Sequence, residues 1–439
     1  MSENNQFQRN YTLQQHTMLL HFQADNNLDG RKVCLRASEV KPKLDRYLTR
    51  ILGGNSKVPT EWIQQLSANK TDISYRYQMR IEQKEPNTAR ITDDIPKIFY
   101  GNMSNGENES GNKSKKRGVY FPNGLMLTIT CFIPDLLLKI DEIIGDFFIA
   151  TNFGTMQGKG FGSFTVDKRS TDQICETLIR FNDAKKCYYF EGGANRLYDK
   201  IGENKCLNEQ GQDCIFARIK QVYSVMKSGS RVPYYRSYIY QYMHTKQIGN
   251  EKAKMKLTQT SPDYKPKRFA KPESLLQEKL EHYYVRAVLG IGSRINYITD
   301  IDGYNMLDKN GQIKYDKRGN PIRAKEPIVI THTEKDEKKR IERYASPVFF
   351  KVIEGTVYMI GRKGNDDILG KEFTFTNNDK NTKQNPKAGN SCTLNVVDSF
   401  DIDDFLSCYV KDYNNQFIKK VGVADCFRIQ EYAKGGSHK

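Results

Sequence analysis

No stretch of the 439 residues approaches the roughly 20 consecutive apolar side chains that a membrane-spanning helix needs, so no such helix and no membrane partner is expected. The opening MSENNQFQRNYTLQQ has neither the basic start nor the apolar run of a secretory signal, which points to a cytoplasmic protein. Paired cysteines are missing too. The nine cysteines (Cys34, Cys131, Cys175, Cys187, Cys206, Cys214, Cys392, Cys408, Cys426) include no Cys-x-x-Cys, and their odd number and irregular spacing exclude a disulfide framework in a reducing compartment. Structural zinc needs four clustered ligands, and the sequence has no Cys/His cluster at that spacing. Buried free thiols are expected, with no metal and no cofactor.

Negative charge is in deficit. Asp and Glu number 52 against 69 Lys and Arg, a net charge of +17. A surplus of that size favours a polyanionic partner, and nucleic acid is the commonest one. Tyrosine (26) and phenylalanine (22) are abundant, and some adjoin basic residues, as in Tyr234, Tyr235 and Arg236. That pairing can stack on and neutralise single-stranded RNA, although aromatics also fill cores.

Residues 17–23 form a short apolar run and predict the first strand. From Ser38 to Leu52, apolar residues at Val40, Leu44, Tyr47, Leu48 and Ile51 have helical spacing, with Ser38 as N-cap and Gly53-Gly54 as stop. Ile73 to Ile81 alternates and predicts a half-buried strand. Residues 101–118 are rich in Gly, Asn, Ser and Lys and predict a flexible loop ending in the basic run 113–117. A strand over 124–133, a helix over 134–144 and a short strand over 147–150 follow. The order is that of a split β-α-β arrangement, closing near residue 170. Beyond it the pattern predicts a strand over 214–226 and a helix over 236–244. Lys/Pro-rich 246–275 reads as a surface excursion, and 275–289 as an amphipathic helix. A hairpin is predicted around Glu354-Gly355, with polar loops over 303–345 and 363–391 and a helix over 402–409.

The most distinctive segment is Phe153-Gly154-Thr155-Met156-Gln157-Gly158-Lys159-Gly160-Phe161-Gly162-Ser163-Phe164. Glycines let a backbone approach a partner closely and leave N–H groups free for phosphate oxygens. No Gly-Lys-Ser/Thr opens a following helix, so it is not a P-loop, and the glycines do not follow a first strand as a dinucleotide fingerprint would. On spacing alone a structural turn is the plainer reading.

These glycines resemble the Gly-x-x-x-x-x-Gly-x-Gly-Ser loop of the RAMP superfamily of CRISPR proteins, through Gly154, Gly158, Gly160, Gly162 and Ser163. Leu35 to Asp45 is similar to the start of the first helix in type III RAMP subunits. Met226-Lys227-Ser228-Gly229 with Tyr235-Arg236-Ser237-Tyr238-Ile239 resembles the same feature opening a second RAMP fold. Ala345 to Lys351 resembles a Ser-Pro strand entry late in such chains. The resemblance implies an α+β protein of two tandem ferredoxin-like (RRM-like) domains with long insertions, over 1–172 and 173–439, as in the two-module RAMP subunit of type III-B complexes. It further implies a ribonucleoprotein subunit in antiviral defence, with crRNA, target RNA and other effector subunits as partners.

Under that reading the RNA-binding candidates are Arg36, Lys41, Lys43, Arg46, Gly154, Gly158, Lys159, Gly160, Gly162, Ser163, Lys227 and Arg236. The rival reading is a metal-independent endoribonuclease that cuts CRISPR repeat RNA. It would use His21 as acid/base, since a histidine titrates near neutrality, or Asp25 or Asp29 beside the scissile phosphate. A strand-end histidine and acidic loop residues are most often solvated or satisfied groups, and His16 lies in a stretch too polar to be held rigidly. A non-catalytic binding subunit is expected.

Overall fold

The first strand of the fold is not the apolar run at 17–23 but the polar stretch before it. Strand β1 (Gln8–Gln15) directs Tyr11 and Leu13 inward while Asn10, Thr12 and Gln14 stay exposed. A strand packed on one face needs apolar residues only at alternate positions, so a search for apolar runs passes over it. Leu19–His21 instead makes a short separate strand against Arg117–Tyr120. The computed structural model describes residues 6–21, 35–66, 72–92, 95, 117–192, 212–231, 234–257, 280–298, 304–308, 310–316, 319–363, 366–380, 385, 387–421 and 428–432. Asp25, Asp29 and residues 101–116 lie outside that set.

Helix α1 (Ala37–Ile51) buries Val40, Leu44, Tyr47 and Leu48, as the spacing predicts. Its N-cap is Arg36 without a side-chain bond, and Ser38 sits inside the first turn. The predicted strand over 73–81 is broken in two at Arg76–Tyr77, leaving Ile73–Tyr75 and β2 (Gln78–Gln83). Next come β3 (Leu125–Thr130), α2 (Pro134–Ala150) and β4 (Phe164–Thr165). The strand predicted at 147–150 is the last turn of α2. Its apolar residues show no helical period because both sides of the helix are covered: Phe147 and Phe148 enter the core under the first sheet, and Ile149 a separate core against α3 (Thr171–Asn182). The sheet is antiparallel in the order β2-β3-β1-β4, with β1 paired from Gln8 opposite Thr130 to Leu13 opposite Leu125.

The chain then repeats this order: β5 (Cys187–Glu191), α4 (Gln212–Lys227), α5 (Tyr238–Thr245), β6 (Val348–Ile353), β7 (Thr356–Gly361), α6 (Ile402–Asp412) and β8 (Gln430–Tyr432). These strands form a sheet in the order β6-β7-β5-β8. With α5 set aside as part of an insertion, both sheets have the chain order β-α-β-β-α-β and place the third strand between the first and second. Helix α4 replaces the strand predicted over 214–226; buried Phe216, Ile219, Val222 and Met226 recur every three or four residues, the helical period. In the helix predicted over 275–289, the described residues form strand His282–Tyr283 and a short 3-10 turn, Val285–Leu289. The segments predicted as polar loops contribute Lys325–His332 and Glu372–Asn377 to a third antiparallel sheet, completed by Arg294–Ile298 and Ser391–Asn395.

His16 is held firmly between the two sheets. The Glu354 N–H donates to its Nδ1 at 3.3 Å, so the ring proton sits on Nε2, 2.8 Å from Thr165 Oγ1. Burial, and secondarily the Lys351 ammonium, lower its pKa to about 3. An unfolded histidine titrates near 6.5. Between those values the unfolded chain takes a proton that the folded chain refuses, so this contribution to stability is present above pH 6.5 and is lost as pH falls. The advantage of the native protein over His16→Gln, from urea unfolding at pH 7, 5.5 and 4.5, should shrink by at most about 1.4 kcal/mol per pH unit. A pH-independent difference would refute this.

Candidate nucleic-acid interface

The glycine loop lies against β6, the edge strand of the second sheet. Lys159 bridges to Phe350 in parallel, the Phe350 N–H donates to Gly158 O (3.2 Å), and Ser163 Oγ donates to Val352 O (2.6 Å). Phe161 stacks on Phe216 of α4 with centroids 3.9 Å apart. The loop therefore covers an otherwise open sheet edge and joins the two halves.

Its glycines serve that packing. At Gly162 (φ 65°) a Cβ would stand 1.9 Å from Phe153 O, and at Gly154 (φ 74°) 2.6 Å from Leu20 O. Gly160 is wedged between Val352 and Ile219. Close approach is thus to the protein's own chain at these three positions, whereas Gly158 opens onto free space. Lys159 points inward: its ammonium is buried 3.0 Å from the centre of the Tyr223 ring, and burial, with Lys227 nearby, holds its pKa well below the ordinary lysine value. Only the apex faces outward, and there the N–H groups of Met156, Gln157 and Gly158 have no acceptor among the described residues.

That apex borders a cleft of ≈ 570 Å³. Lys43, Arg46 and Arg50 reach it from one face of α1, at the i, i+3, i+7 spacing that aligns side chains. Arg362 and Lys363 enter from the end of β7, and Phe181 of α3 forms part of the wall. Lys43 donates to Gln157 Oε1 (2.9 Å), Asn152 O (3.0 Å) and Glu39 Oε1 (3.1 Å). Burial lowers its pKa; Glu39 opposes the shift, and Arg46 and Arg362 add to it. Arg362 donates to the neutral Asn182 Oδ1 (3.1 Å) and lies 3.6 Å over the Phe349 ring. Burial brings it down to about 10, so it is charged at neutral pH. Arg50 covers Phe181, whose ring is stacked on Tyr47 with centroids 5.0 Å apart. Arg46 is exposed and makes no ion pair among the described residues. The one carboxylate lining the cleft, Asp183, is 3.9 Å from Lys363. Glu39 also pairs with Lys43, and Asp403 lies 3.8 Å from Lys363, so Arg46, Arg50 and Arg362 are the cleft cations without a carboxylate partner among the described residues.

Of the residues predicted for RNA binding, the fold brings Lys43 and Arg46 to the cleft, where Gln157 of the loop apex joins them; Gly158 is not among the lining residues. Arg36 caps α1 and is exposed. Lys41 is turned away, bonded to Asp45 (2.8 Å), Ser74 (3.3 Å) and Tyr75 O (3.2 Å). Lys227 is half-buried with its ammonium turned inward, donating to Leu289 O (3.1 Å) and Gly290 O (2.5 Å), and desolvation lowers its pKa to about 7. Arg236, beside α5, is not among the cleft residues. The backbone of His21 pairs with Arg117. Sequence reasoning missed Arg50, Arg362, Lys363 and Phe181. Arg50 had a signal, seven residues on from Lys43; the other three join the site only through folding.

The fold and cleft define an α+β protein with a cationic site lined by α1, α3 and the end of β7. The Cmr1 N-terminal domain model matches residues 6–230 and the Cmr1 C-terminal domain model residues 234–432. The chain belongs to the Cmr1 family, whose members are subunits of type III-B CRISPR effector complexes. A search of curated proteins found no match. The N-terminal match extends through β5 and α4, which pack with the second sheet. Among the described residues no helix is long and apolar enough to cross a membrane.

Proposed function

We propose that this chain holds single-stranded RNA, as crRNA or target, within its effector complex, and that it does so as a RAMP-type pair of ferredoxin-like modules divided near α3. The strand orders β4-β1-β3-β2 and β8-β5-β7-β6 support that architecture. The observation that carries the binding reading is the cleft itself, which gathers Lys43, Arg46, Arg50, Arg362 and Lys363, the three arginines having no carboxylate partner among the described residues. Cations of that density position a phosphate backbone without reading sequence. Among the described residues that line the cleft there is no histidine.

Fluorescence anisotropy with a 20-nucleotide single-stranded RNA tests this. Three to five neutralised phosphates predict a slope of log K against log salt of about −2 to −3.5. The same RNA should be recovered intact after incubation with the protein in EDTA. A flat salt dependence refutes binding, and a cleaved product refutes the non-catalytic role.

A further inference from the structure

A second cleft, of ≈ 580 Å³, lies on the far side of Arg362 and Lys363, which line both. Its chemistry differs. Tyr242, Ile248, Leu369 and Phe400 give it an apolar and aromatic wall. Its own lysines are already engaged: Lys185 lies 3.5 Å from Asp401, and Lys246 3.4 Å from Asp404 and 4.4 Å over the Tyr242 ring. Phe400 is half-exposed, braced by Phe405 (centroids 5.3 Å) and by the edge of Tyr242 (6.4 Å). Asp366 and Asp398 are exposed, and their side-chain carboxylates accept no hydrogen bond among the described residues.

We propose that this second cleft seats a base of the RNA strand whose phosphates lie in the first cleft. The inference rests on the RNA-binding reading above. Beyond the shared Arg362 and Lys363, phosphate is disfavoured, because Lys185 and Lys246 are paired and the charges without a partner there are the carboxylates of Asp366 and Asp398. A nucleobase fits: Phe400 offers a braced ring for stacking, and Asp366 and Asp398 offer acceptors to the base edge. Such acceptors favour a base rich in donors. Guanine presents two adjacent ones, its N1–H and its N2 amino group, to a single carboxylate, whereas uracil presents one N–H between two carbonyls that a carboxylate repels. The shared wall of Arg362 and Lys363 lets one strand pass from the phosphate cleft to the base cleft without leaving the surface.

The test uses the full chain and three labelled decamers: all-uridine RNA, the same RNA with one guanosine, and an abasic ribose-phosphate chain. Affinity should fall in the order guanosine-containing, uridine, abasic, spanning about tenfold. Phe400→Ala should abolish most of that span while leaving abasic binding unchanged. Asp366→Asn with Asp398→Asn should erase the guanosine preference; these side chains have no bonding partner to lose, so that variant stays informative if Phe400→Ala misfolds. Variants that weaken all three ligands equally, or none, overturn the base site. So does a variant that binds RNA normally but no longer assembles with partner subunits, which would make this a protein-docking cleft. If the native chain binds none of the decamers, the RNA-binding reading itself fails, a result distinct from the others.

Discussion

Combining Arg46→Glu, Arg50→Glu and Lys363→Glu is expected to lower affinity for single-stranded RNA by about 100- to 1,000-fold near physiological salt, and to remove about 2 from the magnitude of the salt slope. The expectation follows from position. Arg46 and Arg50 lie on the outer face of α1, Lys363 ends β7, and all three are exposed side chains facing one cleft. Lys43 and Arg362 are left in place because they also hold the joint, through Asn152 and Gln157 in one case and Asn182 in the other. Lys363→Glu does give up its contacts with Asp183 and Asp403, so the thermal transition of the triple variant is measured beside its affinity. Arg80→Glu provides the control: its side chain is 74% exposed on β2 and not among the cleft residues, and its reversal should change affinity less than about threefold. If single reversal at Arg80 costs as much as the triple reversal, binding is diffuse and the cleft is not the site.

The second large effect concerns the joint. Lys351 on β6 sends its ammonium toward α2 and β4, where it donates to Phe148 O (2.6 Å), Thr151 O (2.9 Å) and Phe164 O (3.1 Å). Two of these carbonyls belong to the end of α2, where backbone acceptors lack helical partners and the dipole is negative. A single cation on a strand of the second sheet thus caps a helix packed under the first. Lys351→Met keeps the bulk but leaves three buried acceptors without their donor, and should cost about 3–5 kcal/mol in urea unfolding. Burial holds the Lys351 pKa well below the ordinary value. The unfolded chain therefore keeps its proton up to about pH 10.4 while the folded chain gives it up earlier. As pH rises through that window the lysine-containing protein gains stability and the methionine variant does not, so their difference should grow from pH 7 to pH 9.5. Equal stabilities at both pH values would show that the three carbonyls find other donors.

Helix α1 and the β6-β7 hairpin were legible because local patterns specify them: Val40, Leu44, Tyr47 and Leu48 recur at helical spacing, and Glu354-Gly355 turns between two apolar runs, both residues at positive φ. Strand β1 and the end of α2 were not, for opposite reasons. One has too few apolar residues because a single face is packed, the other too many because both are. In the candidate site Lys43 and Arg46 were legible as neighbours on one helix. Arg362 was not, since it lies more than 300 residues further along and meets them only when β7 packs beside α3 and α1.

By itself the sequence determined the cationic surplus, the helix that presents part of it, and the glycine loop as a special backbone segment. The tertiary structure alone decided what each cation does. Lys41, Lys159, Lys227 and Lys351 are the same residue type as Lys43 and Lys363, yet Lys41 is bonded to Asp45 on its own helix, Lys351 is buried, and Lys159 and Lys227 turn their ammonium groups inward. The physical reason is that the fate of an ammonium depends on desolvation and on which carbonyls, carboxylates or rings surround it. Those surroundings come from strands and loops distant in sequence, so no local pattern encodes them.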